Sequence, residues 1–174
     1  MIKNQRATAF GALDAFFPAV LVLGGDLDRA DRLEDSCYTM WTLHGIAPEL
    51  LEYKTIKVVV GSYHLRPEFV ESTYYLYRYS SDEKYRRIGA TFFNSLVGRC
   101  KTGEGFAALA DVRTGVKTDV MESYFLAEAM KYFYLLFAPP EAFDFETAVF
   151  NTEAHPICKS SVQVGKEKTR SDGS

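Results

Sequence analysis

Apolar positions along the chain recur mostly at helical spacing, and glycine or proline punctuates nearly every run. Residues 11–23 are almost wholly apolar and predict a core helix, with Gly24-Gly25 placed for a left-handed cap. Over 26–44, Leu27, Ala30, Leu33, Cys37, Met40 and Trp41 keep close to a helical period, and Gly45 stops the pattern. The stretch 46–64 is looser and holds one β-like run, 56–60. Pro67 suits a first helical turn, so a helix is predicted from there to about Ser80. Ser81-Asp82-Glu83 then caps another over 84–99. Residues 100–105 read as a turn, 106–111 as a short strand and 113–119 as a loop. A long helix is predicted over 120–137, ended by Pro139-Pro140, and 148–155 reads as a short extended segment. Past Cys158 the tail is polar and predicted to be disordered.

One internal similarity organises these elements. The segment from Val70-Glu71-Ser72 echoes that from Met121-Glu122-Ser123, and a helix separates the two. Helix pairs repeating at such a period point to a solenoid or toroid of helical hairpins. In that architecture each hairpin has a face that only neighbours bury, so this run of helices would form an open arc with an apolar edge, and the chain reads as a fragment of poor solubility.

Composition narrows the class without choosing a function. Apolar residues make up 47% and aromatics 14%, as in a globular domain. A formal charge of −3 gives no electrostatic footprint for nucleic acid or an anionic membrane. Lys3 and Arg6 precede an apolar stretch, but Asp14 and Pro18 interrupt it, which argues against a signal peptide, and it is too short for a membrane span. Cys37, Cys100 and Cys158 form no zinc spacing and no closed disulfide framework, so buried free thiols are expected.

Three segments can carry chemistry. In Arg66-Pro67-Glu68-Phe69-Val70-Glu71, the i, i+3 and i+7 positions Glu68, Glu71 and Tyr75 share a helix face, with Arg66 at its entrance to hold a carboxylate ionised. Paired carboxylates are what glycoside hydrolysis uses, although acidic residues in a first turn also complement the helix dipole. Glu122 and Glu128 lie in an aromatic-rich helix, facing either solvent or a polar cavity. The segment Asn151-Thr152-Glu153-Ala154-His155 either stabilises a turn or offers oxygens to a hard cation, Thr152 through both hydroxyl and carbonyl.

Taken together these strings resemble a known family. Leu65-Arg66-Pro67-Glu68-Phe69-Val70-Glu71-Ser72 with Tyr77-Arg78 resembles the "LRPExxES…YR" block of glycoside hydrolase family 47, the class I α-1,2-mannosidases. Met121-Glu122-Ser123-Tyr124-Phe125-Leu126-Ala127-Glu128, followed by Lys131-Tyr132 and Leu135-Leu136-Phe137, resembles its "MESFFLxETxKYxYLLF" block. Phe150-Asn151-Thr152-Glu153-Ala154-His155-Pro156 resembles its "FNTEAHP" block.

The resemblance implies an all-α fold: a partial (α/α) toroid of helical hairpins, part of a seven-hairpin barrel, with short β segments. Residues 1–157 would be the C-terminal portion of the catalytic domain and 158–174 a disordered polar tail. It also implies an inverting, calcium-dependent α-1,2-mannosidase, with Glu68 as a catalytic carboxylate on the base side and Glu49, in a "GxxPE"-like string, as a candidate acid. Thr152 would bind the calcium, while Arg66, Glu71, Tyr124, Glu128 and Glu153 would line the mannose pocket.

Leu13-Asp14-Ala15-Phe16-Phe17-Pro18 resembles the ER-degradation-enhancing α-mannosidase-like branch. Ala15 stands where the processing enzymes have a cysteine that pairs with the one matching Cys37. That branch implies the endoplasmic reticulum, high-mannose N-glycans of misfolded glycoproteins and an oxidoreductase partner. The family's other catalytic carboxylates match nothing here, so the chain is expected to be inactive alone. A non-catalytic, lectin-like mannose-binding protein is the alternative.

Overall fold

The computed structural model of the chain describes residues 8–159. The expectations placed on Lys3, Arg6 and most of the tail therefore lie outside the described residues. The chain runs through β1 (Ala9–Gly11), a 3-10 turn (Ala12–Phe16), α1 (Phe17–Leu23), α2 (Leu27–Leu43), β2 (Leu50–Glu52) and β3 (Lys57–Val60). It continues through α3 (Glu68–Ser80), α4 (Glu83–Cys100), β4 (Leu109–Asp111) and β5 (Val116–Lys117). A π-turn (Phe125–Ala129) then leads into α5 (Met130–Phe137), and β6 (Ala148–Phe150) and β7 (Pro156–Cys158) follow.

Helix α3 is the hub, since α1, α2, α4 and α5 all pack on it. Its residues from Phe69 to Leu76 are buried without a break, which marks a helix surrounded on every side rather than an amphipathic surface helix. Ser81, left-handed with φ 57°, ends α3, and the Asp82 carboxylate caps α4 by accepting from the Lys84 N–H at 2.8 Å. Asp26 caps α2 in the same way through the Arg29 N–H. Trp41, Phe69 and Phe92 form the core between the two hairpins, with the Trp41 and Phe92 ring centres 4.5 Å apart.

Several sequence expectations are corrected. The apolar run 11–23 is not one helix: Gly11 belongs to β1, and a 3-10 turn precedes α1. The cause is Ser72 of α3. Its Oγ accepts from the Ala19 N–H at 3.2 Å and donates to the Ala15 carbonyl at 2.6 Å, so it inserts between two groups that a continuous α-helix would join directly. At the following turn the left-handed residue is Gly25, with φ 83°, while Gly24 stays right-handed.

The β content was under-read because strands this short carry little periodicity. The β-like run is β3, but β2 and β1 join it in an antiparallel sheet. The expected loop 113–119 contains β5, paired with β4. The extended segment 148–155 is half of a hairpin, because β6 pairs with β7 and Cys158 ends that strand instead of opening a tail. Cys37 and Cys100 are buried, as expected, whereas Cys158 is exposed because it ends the surface strand β7.

Candidate active site

A cavity of about 230 Å³ is lined by Leu13, Phe16, Glu68, Glu71, Glu128 and Thr152. Four separate elements contribute. The 3-10 turn supplies the apolar part, and the first turn of α3 presents Glu68 and Glu71 one turn apart on the same face. Glu128 arrives on the π-turn, whose extra residue re-aims the helix; π-turns are rare and concentrate at functional sites. Thr152 sits at the tip of the β6–β7 hairpin. There the Asn151 side-chain oxygen accepts from the Glu153 N–H (3.0 Å) and the His155 N–H (2.8 Å).

The electrostatics are those of crowded, partly desolvated carboxylates. Burial pushes Glu71 up to about 7; the Tyr132 hydroxyl, donating to Oε1 at 2.5 Å, opposes the shift, while Glu128 and Glu68 add to it. Burial also pushes Glu128 up to about 7, with Glu153 and Glu68 raising it and Lys131 lowering it. Glu68 is raised by burial, against its own backbone N–H and Arg66, which favour the anion. Its Oε2 is buried and has no hydrogen-bond partner.

The hydrogen bonds of Arg66 go to Glu49 and not to an α3 carboxylate as the shared-face reading expected, with Nη2 donating to Oε1 at 2.6 Å and Nε to Oε2 at 3.3 Å, while on Glu68 it acts through charge. Its guanidinium also lies 5.8 Å from the Tyr124 ring centre, and the Tyr124 hydroxyl donates to the His64 carbonyl at 2.7 Å. Leu65, just before Arg66, is wholly buried in a left-handed conformation with φ 60°, a strained entry that burial holds in place.

The structure thus brings Glu68, Glu71, Glu128 and Thr152 together on one cavity, with Arg66, Glu49 and Tyr124 as a linked set at the start of α3. Glu153 is exposed beside Thr152 and acts on Glu128 through charge. Tyr75 takes part in an aromatic cluster with Tyr74, Tyr132 and Phe145 instead. The expected helix 120–137 begins at Ser123, which leaves Glu122 exposed, so the two Glu-Ser pairs are not equivalent. Sequence reasoning gave no role to Leu13, Phe16, Lys131 or Tyr132. For the last two the signal was present, since Lys131-Tyr132 follows the Glu128 string directly.

Fold and cavity define a class: helical hairpins gathered on a central helix that carries paired carboxylates, the chemical equipment of a glycosidase. The sequence profile described as Glycosyl hydrolase family 47 matches residues 2–159, and the chain belongs to that family. It is 41% identical over 175 residues to ER degradation-enhancing alpha-mannosidase-like protein 3 of Homo sapiens, covering 97% of this chain and 19% of the human protein. It is 44% identical over 169 residues to Mannosyl-oligosaccharide 1,2-alpha-mannosidase MNS1 of Arabidopsis thaliana, covering 88% of this chain and 30% of the plant protein. Among solved structures it superimposes on alpha-1,2-mannosidase from Trichoderma reesei with a TM-score of 0.78 and 29% identity, over 87% of this chain and 39% of that one. The (α/α) hairpin fold and the likeness to the ER-degradation-enhancing branch are therefore those expected from the sequence, and the chain spans less than a third of these two curated relatives.

Proposed function

We propose that the chain forms the carboxylate-bearing wall of a calcium-dependent, inverting α-1,2-mannosidase pocket. The observation that carries this reading is the convergence of Glu68, Glu71, Glu128 and Thr152 on one cavity. Glu68 is the base. Its partnerless, buried Oε2 leaves a lone pair for the proton of an attacking water, and burial raises its proton affinity. Tyr132 fixes Glu71, and Tyr124 offers an aromatic face beside Arg66 for the apolar side of a sugar ring.

The residues also fit a hard cation. Thr152 has a hydroxyl and a carbonyl oxygen to give, and the neighbouring carboxylates repel one another in the absence of positive charge. Among the described residues no three His, Cys, Asp or Glu side chains converge closely enough to hold a metal directly. Thr152 would be the holding residue, and the negative charge of Glu71 and Glu128 beside it would favour a cation there. Bound there, calcium would supply positive charge for sugar hydroxyls.

Inversion needs a second carboxyl group across the scissile bond. Glu49 has both oxygens occupied by Arg66, so its part is to orient that guanidinium. The 174-residue chain by itself is expected to bind and not to turn over. The relatives' names support the endoplasmic reticulum as the compartment and an α-mannoside as the substrate class; high-mannose N-glycans of misfolded glycoproteins and an oxidoreductase partner are what the family resemblance adds to this reading.

Calorimetry with an α-1,2-linked mannose disaccharide tests the reading. Binding should require calcium, vanish with Thr152→Ala and persist with Glu68→Gln. Calcium-independent binding, or none, removes the reading. The occupied Glu49 favours a second reading, a mannose-binding protein of glycoprotein quality control without turnover. Release of mannose with inversion by the chain would exclude it and would also overturn the role given to Glu49.

A further inference from the structure

Lys131 reaches out of α5 and donates through Nζ to the Ala154 carbonyl at 2.6 Å, a contact between residues 23 apart in sequence. Ala154 is fully buried and left-handed, with φ 54°. An alanine in that conformation is strained, and a buried carbonyl without a donor is costly, so neither persists unless the surroundings enforce it. The turn's own bonds run Asn151 N–H to His155 carbonyl and Ala154 N–H to Asn151 carbonyl, both at 3.0 Å. They close the hairpin tip on itself, while Lys131 ties it to the helical body by a hydrogen bond, beside the packing of Phe150 on Tyr132. Thr152, two residues before Ala154, is exposed on its outer side and lines the cavity on the other. Tyr132, the next residue, holds Glu71 on the opposite flank. One turn of α5 therefore fixes two walls of the cavity, and its offset from Glu128 is set by the π-turn.

We propose that Lys131 is a positioning residue that clamps the 151–155 turn and so aims the Thr152 oxygens into the cavity. A lysine suits this task because a charged donor to a carbonyl forms a stronger bond than a neutral one. Its long stem also spans the gap between helix and hairpin along apolar surface. Without the ammonium the Ala154 carbonyl turns toward water, the left-handed residue relaxes, and Thr152 follows.

The metal readout of this proposal rests on the calcium reading above, so the test has a second readout that does not. Amide hydrogen exchange is followed by NMR on the 174-residue chain without metal, in the native form and with Lys131→Met and Lys131→Arg. Exchange at Glu153, Ala154 and His155 should quicken about tenfold in Lys131→Met, with α3 and α4 unchanged, and Lys131→Arg should restore most of the protection. Terbium luminescence, with the lanthanide standing in for calcium, should show affinity about tenfold weaker in Lys131→Met and near native in Lys131→Arg. In the native chain the Lys131 ammonium should exchange more slowly than the exposed lysines, a signature that needs no variant.

Unchanged turn exchange in a folded Lys131→Met, or an ammonium that exchanges like its surface counterparts, overturns the clamp. Faster turn exchange in a chain that binds no terbium or calcium keeps the clamp and removes the calcium reading instead.

Discussion

At the residue scale, carboxylates kept away from water set the character of the molecule, and one of them lies outside the cavity. Glu34 of α2 is wholly buried, with Oε1 2.5 Å from Thr73 Oγ1, which in turn lies 2.8 Å from the Phe69 carbonyl. A hydroxyl has one proton to give. If Thr73 gives it to Phe69, Glu34 must be the donor to Thr73, which requires the neutral acid. Burial pushes Glu34 up to about 8, above the range of an unfolded glutamate near ~4.3. Because the folded state holds this proton more tightly, the stabilisation is complete below the unfolded value and is lost as pH rises toward 8. Urea midpoints measured between pH 5 and 9 should fall with rising pH, and less steeply in Glu34→Gln, whose amide can donate to Thr73. Parallel slopes in the two proteins would refute a neutral Glu34. The identity of Glu68, Glu71, Glu128 and Thr152 as candidates was legible because long strings carried them. Glu34 was not, since a single glutamate in a helix reads as a solvated charge until its neighbours in space are known.

At the element scale, the long, strongly periodic helices α2, α3 and α4 were legible to within a residue or two of their ends. What sequence missed are the place where a neighbour overrides local preference, Ser72 splitting the 3-10 turn from α1, and the π-turn before α5. The first needs a partner distant in the chain, which no local pattern contains. The approach of α4 to α5 is of the same kind. A Cβ at Gly89 would lie 2.1 Å from Leu136 Cδ2, and Leu136 is wholly buried. Gly89→Ala adds about 1 kcal/mol of helix propensity, but overpacking costs about 1–3 kcal/mol, so the variant should melt at a lower temperature. A higher melting temperature would show that α5 yields freely at this contact.

At the scale of the whole molecule, one side of the first hairpin is apolar and open. Leu13, Phe17, Val20 and Leu23 are 59%, 53%, 43% and 54% exposed and follow one another at helical spacing. Sedimentation of the 174-residue chain should therefore show concentration-dependent self-association that Phe17→Ser with Val20→Ser reduces. A native chain that stays monomeric at high concentration would contradict it. The hairpin arrangement was foreseeable from the repeated Glu-Ser segments, although the equivalence of the two pairs was not, since Glu71 is buried and Glu122 is exposed. The cavity adds a consequence in time. Its lining runs from Leu13 and Phe16 to Thr152, so nearly the whole described chain must leave the ribosome before the last wall is in place. Glu68 and Glu71 emerge long before Thr152 and stay solvated until Glu128, Tyr132 and then the residue proposed to bring their counter-charge close around them. Any ligand that binds at Thr152 therefore acts only once the β6–β7 hairpin has been made and packed, and stabilises that folded form alone.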